Sequence, residues 1–448
     1  MRAPPDALAA GPPEATSGSV QGRDSRIRAY YVLGPFTVIY AFANPDRNAI
    51  NLALGAIKRD LHASDTIMGL IAGLGFSGVQ LLFGLPIARW ADRGDRRLVI
   101  GLAVGLWSVM TMACGAARTV LQLGLGRMAV GVGEATGPVF HSFLADIFDK
   151  SERGRAVAIY ALGAPLSVLA GFPLLGIIQQ SYGWRVAFFA AGAPGLALTL
   201  AAVLTLRDPR KTARAEPPPI PSLDEVFRTI WRQRSYLFLT LGFSVAGFGS
   251  TAFAVWGPTF LARIHHMSIA EIGAAFGLIQ GLAGLAGGLC GGLASDLCSN
   301  RWGDRWKIIP FAMTATGLAP AILLTVATPS QSVCLAGMGL IAFLGAFQFA
   351  PVIAVIQTVM PARMRALGGS INGFAAALFA LGLGPLYIGF VNDRLNGVYG
   401  PQVIRFSLAS VALFCLLGAG LFWLASRFVK QDIAMAEAFD ARPLARTT

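Results

Sequence analysis

Residues 66–90 read TIMGLIAGLGFSGVQLLFGLPIARW, twenty-five residues whose sole charge, Arg89, stands next to the end. A helix needs about 20 mostly apolar residues to cross the hydrocarbon of a bilayer, and this stretch meets that length. Ala-Asp-Arg-Gly-Asp-Arg-Arg at 91–97 bounds it with charge. Working outward for similar runs, limited by charges or by Pro, Gly, Asn and Asp, gives twelve spans. They fall at 29–54, 66–90, 97–116, 119–146, 153–178, 184–206, 236–263, 271–297, 306–327, 331–360, 364–391 and 402–428. Composition agrees: of 448 residues 55% are hydrophobic and 13% charged, about half the charged share of a soluble domain. The fold class is therefore an all-α polytopic membrane protein with twelve transmembrane helices.

The formal net charge of +13 suits a nucleic-acid partner, but its placement argues against one. Lys and Arg gather on the loops of one side, with Arg89, Arg93, Arg96 and Arg97 after span two and Arg207 to Arg234 after span six. The positive-inside rule puts that side, with both termini, in the cytoplasm of a plasma (inner) membrane. The same cations are suited to anionic lipid headgroups. Residues 1–28, rich in Pro, Ala and Gly, read as a disordered cytoplasmic tail, and 429–448 as a second tail. A polar stretch with Pro217, Pro218, Pro219 and Pro221 makes 207–235 a linker between two six-helix bundles, 29–206 and 236–428. The five cysteines show no metal or redox spacing, and no metal or cofactor is expected.

Loop chemistry repeats across the linker. Gly292, Asp296, Arg301 and Arg305 echo Asp92, Arg93, Arg96 and Arg97, and Glu152-Arg153-Gly154-Arg155-Ala156 echoes Ala362-Arg363-Met364-Arg365-Ala366, as parallel repeats require. Asp92-Arg93-Gly94-Asp95-Arg96-Arg97 resembles the loop motif of major facilitator superfamily transporters, with Ala88 where Gly is usual and the later Gly displaced to Gly94. Arg127-Met128-Ala129-Val130-Gly131-Val132-Gly133-Glu134-Ala135 is similar to that superfamily's span-four motif. With Asp46-Arg47 and Asp146-Ile147-Phe148, the pattern looks like the spinster family of lysolipid and sphingolipid transporters. That resemblance implies proton-linked transport of a single-chain amphipathic lipid by a carrier working through alternating access.

Ionisable groups at membrane depth cost at least about 2.5 kcal/mol each, so they face a partner or a watery cavity. Asp46, Arg47, Arg127 and Glu134 stand out, all in the amino-terminal half. Arg127 and Glu134 are seven residues apart, on one face but separated by about 10 Å along the axis, so a third group bridges them more easily; Asp46 is the candidate. Glu134 and Asp46 are then proton acceptors and Arg127 the cation that moves between them. The competing reading is a structural charge cluster that orients spans one and four. Pro45 precedes Asp46, and Pro138 lacks the N–H that would bond the Glu134 carbonyl, so both sites fall at weakened turns. His141, seven positions beyond Glu134, returns to a similar face as a proton relay or as a satisfied polar residue.

The second half offers Gln280, Gln348, Gln357 and Asn372 instead, and a substrate cavity between the halves draws on Phe253, Trp256, Gln280, Phe347, Gln348, Phe349 and Phe374, or these simply pack. Asp92, Arg93, Arg96 and Arg97 form an intracellular gate or only a topology signal. Gly73-Leu74-Gly75-Phe76-Ser77-Gly78 satisfies a dinucleotide fingerprint but lies inside a span with no strand before it. Gly69 with Gly73, Gly101 with Gly105 and Gly288 with Gly292 read as close helix contacts. No P-loop, metal constellation or nucleophile motif occurs, so an enzyme is not expected. The expectation is a monomeric, proton-coupled carrier whose partners are protons, membrane lipids and an amphipathic lipid or other hydrophobic small molecule. A drug or metabolite antiporter and a transporter-like sensor are the alternatives.

Overall fold

The computed structural model describes residues 33–42, 45–148, 152–205 and 223–441. The expected tail 1–28, most of the linker and the end of the 429–448 tail lie outside them. Eight helical stretches among the described residues are long and apolar enough to cross a membrane, and two, Arg155–Leu204 and Leu367–Asp440, each hold two spans end to end. Two interrupted spans complete the twelve. Span 1 is Leu33–Phe42 with Pro45–Asp60, and span 4 is Val120–Glu134 with Gly137–Ile147. Span 2 joins Asp65–Ala72 to Leu74–Arg93, and span 3 is Arg96–Gly115. Arg153–Ala161 and Gly163–Thr205 form spans 5 and 6, which turn at Gly183, where φ of 86° favours glycine. Spans 7, 8 and 9 are Arg234–Ile264, Ile269–Trp302 and Ile309–Ala327. Span 10 joins Gln331–Phe347 to Phe349–Val359, span 11 runs from Arg365 to Tyr399 through a π-helical turn at Ala377–Leu383, and span 12 is Val403–Asp440.

Helices suit this medium because each satisfies its own backbone, and the outward side chains are those hydrocarbon accepts. Leu82, Leu121 and Leu297 are 73%, 71% and 68% exposed, which water would not tolerate in such number but lipid does. The chain is a multi-pass integral membrane protein. Span 12 exceeds a bilayer: its 38 residues reach into the segment expected as a tail. There Asp432 accepts from the Ser235 N–H at 2.6 Å, and Asp440 accepts from the Ala362 N–H at 3.1 Å, which ties this helix end to spans 7 and 11. Part of the linker is helical too, over Leu223–Arg232.

The end where span 1 begins and span 12 finishes is called the near end. The two halves grip each other in the other, far half of the bundle, through glycines. Gly69 and Gly73 of span 2 lie against the carbonyls of Pro385 and Gly382 in span 11, and Gly389 lies against the Asp65 carbonyl. Across the bundle, Gly176 of span 5 meets Gly273 of span 8, and Phe172 packs on Gly273 and Gly277. Gly101 and Gly105 bring span 3 onto Val203 and Thr199 of span 6, as the sequence implies. The pair Gly288 and Gly292 needs correction: a Cβ at either meets nothing within 4 Å. The close contact belongs one residue earlier, where Gly287 and Gly291 lie against the Phe343 and Phe347 carbonyls, because one residue turns a helix surface by about 100°.

Gly69→Val is expected to lower the melting midpoint in detergent by wedging a side chain against the Pro385 carbonyl, at a cost of about 1–3 kcal/mol. Gly288→Val, with open space around it, leaves the midpoint unchanged.

Candidate functional site

Span 4 breaks between Glu134 and Gly137, one residue before Pro138. Proline leaves the Glu134 carbonyl without its helical donor. Gln80 of span 2 supplies one instead, with Nε2 donating to that carbonyl at 3.2 Å. Span 1 restarts at Pro45, the position where a missing N–H costs least. The interruption at Pro138 holds Glu134 at the end of its helix, and Arg47 stands in the first turn of Pro45–Asp60; residues 43 and 44 before it lie outside the described residues.

Arg47 forms an ion pair with Glu134 through Nη2 and Oε2. The carboxylate is nearly enclosed, with 7% of the Glu134 side chain exposed, against 33% for Arg47. A cation on Glu134 is thus the neighbouring helix's Arg47; Arg127 is 1% exposed and also lies over the Phe76 ring. The Arg47 and Arg127 guanidinium carbons lie 4.7 and 4.9 Å from the Phe76 ring centre, so one aromatic ring attracts both cations. The side chain of Asp46, the expected bridge, lies outside the described residues.

Arg47, Glu134 and Gln80 open onto a cavity of about 260 Å³, at mid-depth and on the near side of the glycine seams. Its other walls are aromatic. Tyr40 stacks on Tyr160 at 4.6 Å, and His141 meets Tyr160 edge-on at 5.6 Å. His141 therefore shares the cavity with Glu134. Trp107, Phe140 and Thr136 also line it, and Leu381 comes from the second half. The sequence reading missed Tyr40, Gln80, Trp107 and Tyr160. A tyrosine hydroxyl or glutamine amide within an apolar span is itself a signal, since it needs a polar partner there.

The carboxyl-terminal candidates have other places. Phe253 and Trp256 are fully buried in the second bundle, with the Trp256 indole donating to the Pro385 carbonyl at 3.0 Å. Phe347 is 8% exposed, and Gln348 donates to Thr314 at 3.2 Å. Gln280 is half-buried, while Phe349 and Phe374 are exposed. None of them lines the Arg47–Glu134 cavity.

At the near end, Arg96, only 2% exposed, pairs with Asp146 at 2.5 Å, and Asp95 accepts from the Arg97 N–H at 3.0 Å. Both contacts brace the amino-terminal half internally. Asp92 and Arg93 are exposed. A charged contact that joins the halves lies at the far end and was not anticipated. Asp65, 2% exposed, accepts two bonds from Arg263 of span 7, at 2.7 and 2.8 Å, and one from Asn392 of span 11 at 3.0 Å. Lys58 adds a fourth at 2.7 Å. Asp393 in turn accepts the N–H groups of Asp65 and Thr66 at 3.0 and 2.7 Å. In sequence Asp65 is an ordinary first-turn acid after the Ser64 cap, and nothing local marks it.

A family model described as Major Facilitator Superfamily matches residues 36–385. The chain is 32% identical over 411 residues to an MFS-type efflux pump of Mycolicibacterium smegmatis, covering 91% of this chain and 94% of that protein. It is 25% identical to a probable L-galactonate transporter of Escherichia coli over 84% of each. Spinster homolog 1 of Xenopus tropicalis is 23% identical over 88% of this chain and 80% of its own. Among solved structures, a bacterial homolog of the human lysosomal transporter spinster, in an inward-facing and unoccupied conformation, matches with TM-score 0.79 and 26% identity, covering 90% of this chain and 98% of that one.

Asp65→Asn is expected to loosen the far end. Removing one member of a buried ion pair costs about 3–5 kcal/mol, less here because Lys58 and Arg263 are 33% and 22% exposed. Spin labels at Arg118 and Gln331, on far-end loops of opposite halves, should report an open population raised at least about tenfold, about 1.4 kcal/mol. An unchanged distance distribution removes the clamp.

Proposed function

Because the chain belongs to the major facilitator superfamily and resembles its spinster members, we propose that it is a proton-coupled secondary carrier of a single-chain amphipathic molecule, of lysolipid or sphingolipid type. The observation that carries the coupling is the enclosed Glu134 carboxylate on Arg47, at the wall of a cavity between the halves. The Arg47 guanidinium and the Glu134 carboxylate attract each other in a site largely shielded from water. A proton arriving on Glu134 cancels that attraction and frees Arg47 to meet an anionic substrate headgroup. Loss of the proton returns Arg47 to Glu134. Asp46 is the second proton acceptor on the adjoining turn, Arg127, over the Phe76 ring, the cation that moves between the two carboxylates, and His141 a relay along the cavity wall.

The substrate class rests on the cavity's composition and on likeness to spinster proteins. Tyr40, Phe140 and Tyr160 suit an apolar chain, while Arg47 suits a phosphate or another anion. Transport follows from rocking of the halves about this site, with both termini in the cytoplasm of the plasma membrane and Asp92, Arg93, Arg96 and Arg97 forming the near-end gate in the opposite state. A drug or metabolite antiporter is the second reading, supported by 32% identity to an efflux pump along 91% of the chain.

Proteoliposomes with and without a pH gradient test this, offering a lysophospholipid, sphingosine phosphate and a cationic drug. Glu134→Gln is expected to abolish gradient-driven accumulation of the lipid while leaving exchange down its own gradient. Accumulation unchanged in both Glu134→Gln and Asp46→Asn sinks the coupling assignment. Movement of the drug alone selects the second reading, and no flux of any kind selects a sensor.

Asp92→Asn tests the gate separately: it is expected to raise near-end cysteine accessibility in the state closed at that end, and no change limits the loop to topology.

A further inference from the structure

Glu134 is the last residue of Val120–Glu134, so its carbonyl is one of those that a helix end leaves without a helical donor. The two carbonyls before it are satisfied locally: that of Val132 accepts the Ala135 N–H at 3.2 Å, and that of Gly133 accepts the Thr136 hydroxyl at 3.2 Å. The next helix, Gly137–Ile147, offers Glu134 no such donor, because the residue four places on is Pro138. Its carbonyl is held instead from another span, by the side-chain N–H of Gln80 at 3.2 Å. Only the NH2 end of a glutamine amide can face a carbonyl, so this contact also fixes which way the Gln80 amide points.

Span 2 can reach span 4 here because their backbones nearly touch. A Cβ at Gly131 would stand 2.7 Å from the Phe76 carbonyl oxygen and 3.5 Å from the Gln80 backbone nitrogen, so glycine lets the half-buried Gln80 side chain cross to the next turn of span 4. Phe76 lies one turn before Gln80 on the same face of span 2, and the Arg47 guanidinium carbon is 4.7 Å from its ring centre. The partners of the Arg47–Glu134 ion pair belong to spans 1 and 4, yet each is held by span 2. Arg47 is held at its guanidinium by the Phe76 ring, and Glu134 at its backbone by Gln80. A bonded carbonyl fixes the peptide plane after Glu134, and with it the direction in which the side chain leaves the chain. At a helix end beside a break, no helical bond from that carbonyl does so.

We propose that Gln80 is a positioning residue for the intramembrane ion pair: by bonding the carbonyl freed at Pro138 it aims the Glu134 carboxylate at Arg47, while Phe76 holds the guanidinium to meet it. This rests on the reading of Arg47 and Glu134 as the carrier's working charges, and it adds the residue that sets how firmly they pair. Without the Gln80 N–H, the Glu134 carbonyl must find a donor elsewhere along the cavity, since an unsatisfied carbonyl is costly in this medium. The peptide plane turns to meet that donor, and the carboxylate turns away from Arg47 with it.

The strength of the pairing is the readout. The full chain is unfolded reversibly in mixed micelles by added SDS, and the coupling between Arg47 and Glu134 is taken from the unfolding constants of the unaltered chain, Arg47→Gln, Glu134→Gln and the two together. The same four are then measured with Gln80→Met, which keeps the length of the side chain and removes its donor. The coupling constant is expected to fall at least about fivefold. Pro138→Ala restores an N–H four residues after Glu134 and so offers its carbonyl a helical donor; in that background Gln80→Met is expected to leave the coupling unchanged. Three results overturn the proposal. One is no coupling between Arg47 and Glu134 in the unaltered chain. Another is coupling retained in Gln80→Met with all four chains destabilised alike, the mark of a residue that only packs. The third is a loss of coupling equally large in the Pro138→Ala background, which would show Gln80 acting by another route. No substrate and no pH gradient enters these measurements, so failure of proton coupling is read in the proteoliposomes and failure of the positioning role is read here.

Discussion

Hydrocarbon offers no hydrogen bond to a carbonyl that a proline has freed, and three such carbonyls organise this molecule. Pro138 frees that of Glu134, and Gln80 crosses from span 2 to meet it. Pro351 frees that of Phe347, which is brought against Gly291 of span 8. Pro385 frees that of Leu381, beside Gly73 of span 2. Each interruption is matched by a small or polar residue on another helix, so the breaks also specify which helices touch. They fall near mid-length in spans 4, 10 and 11, where a carrier needs both a cavity and a place to bend.

The same medium governs the charges. Glu134 and Asp65 are both nearly enclosed, and each is held by arginine, but the settings differ. Glu134 has its ion pair with Arg47 within one half, beside a cavity, where protonation or an anionic ligand can compete for the guanidinium. Asp65 is bound by Arg263 and Asn392 from the other half and sits among closely packed glycines. The first arrangement is suited to exchange of partners, the second to holding two bodies together. The far-end closure and the mid-depth cavity therefore belong to one conformation, and leaving it requires the Asp65 bonds to be exchanged for others.

Much of this was legible in the sequence. The spans follow from apolar length, and the turns at Pro45 and Pro138 follow from the missing N–H. Arg47, Arg127 and Glu134 declare themselves because charge is costly at membrane depth. Glycine pairs were readable as contact faces only to within a residue: Gly69 and Gly73 meet a partner, but Gly287 and Gly291 do so in place of Gly288 and Gly292. Spacing four apart identifies a stripe, and its azimuth depends on how the helix is rotated in the bundle. Phe253, Trp256 and Phe347 show the same limit, since an aromatic side chain is equally suited to core, cavity and lipid until its neighbours are known.

By itself, the sequence determined the helical class, the two six-span halves and the set of intramembrane charges, because these depend on length, period and the cost of burial along one chain. Only the tertiary structure decided that Glu134 takes Arg47 and that Phe76 carries both Arg47 and Arg127. It alone revealed that Asp65 joins the halves. Partner choice among buried polar groups is set by distances between helices far apart in sequence. In a low dielectric a shift of a few ångströms decides which charge is paired, and no local pattern encodes that shift.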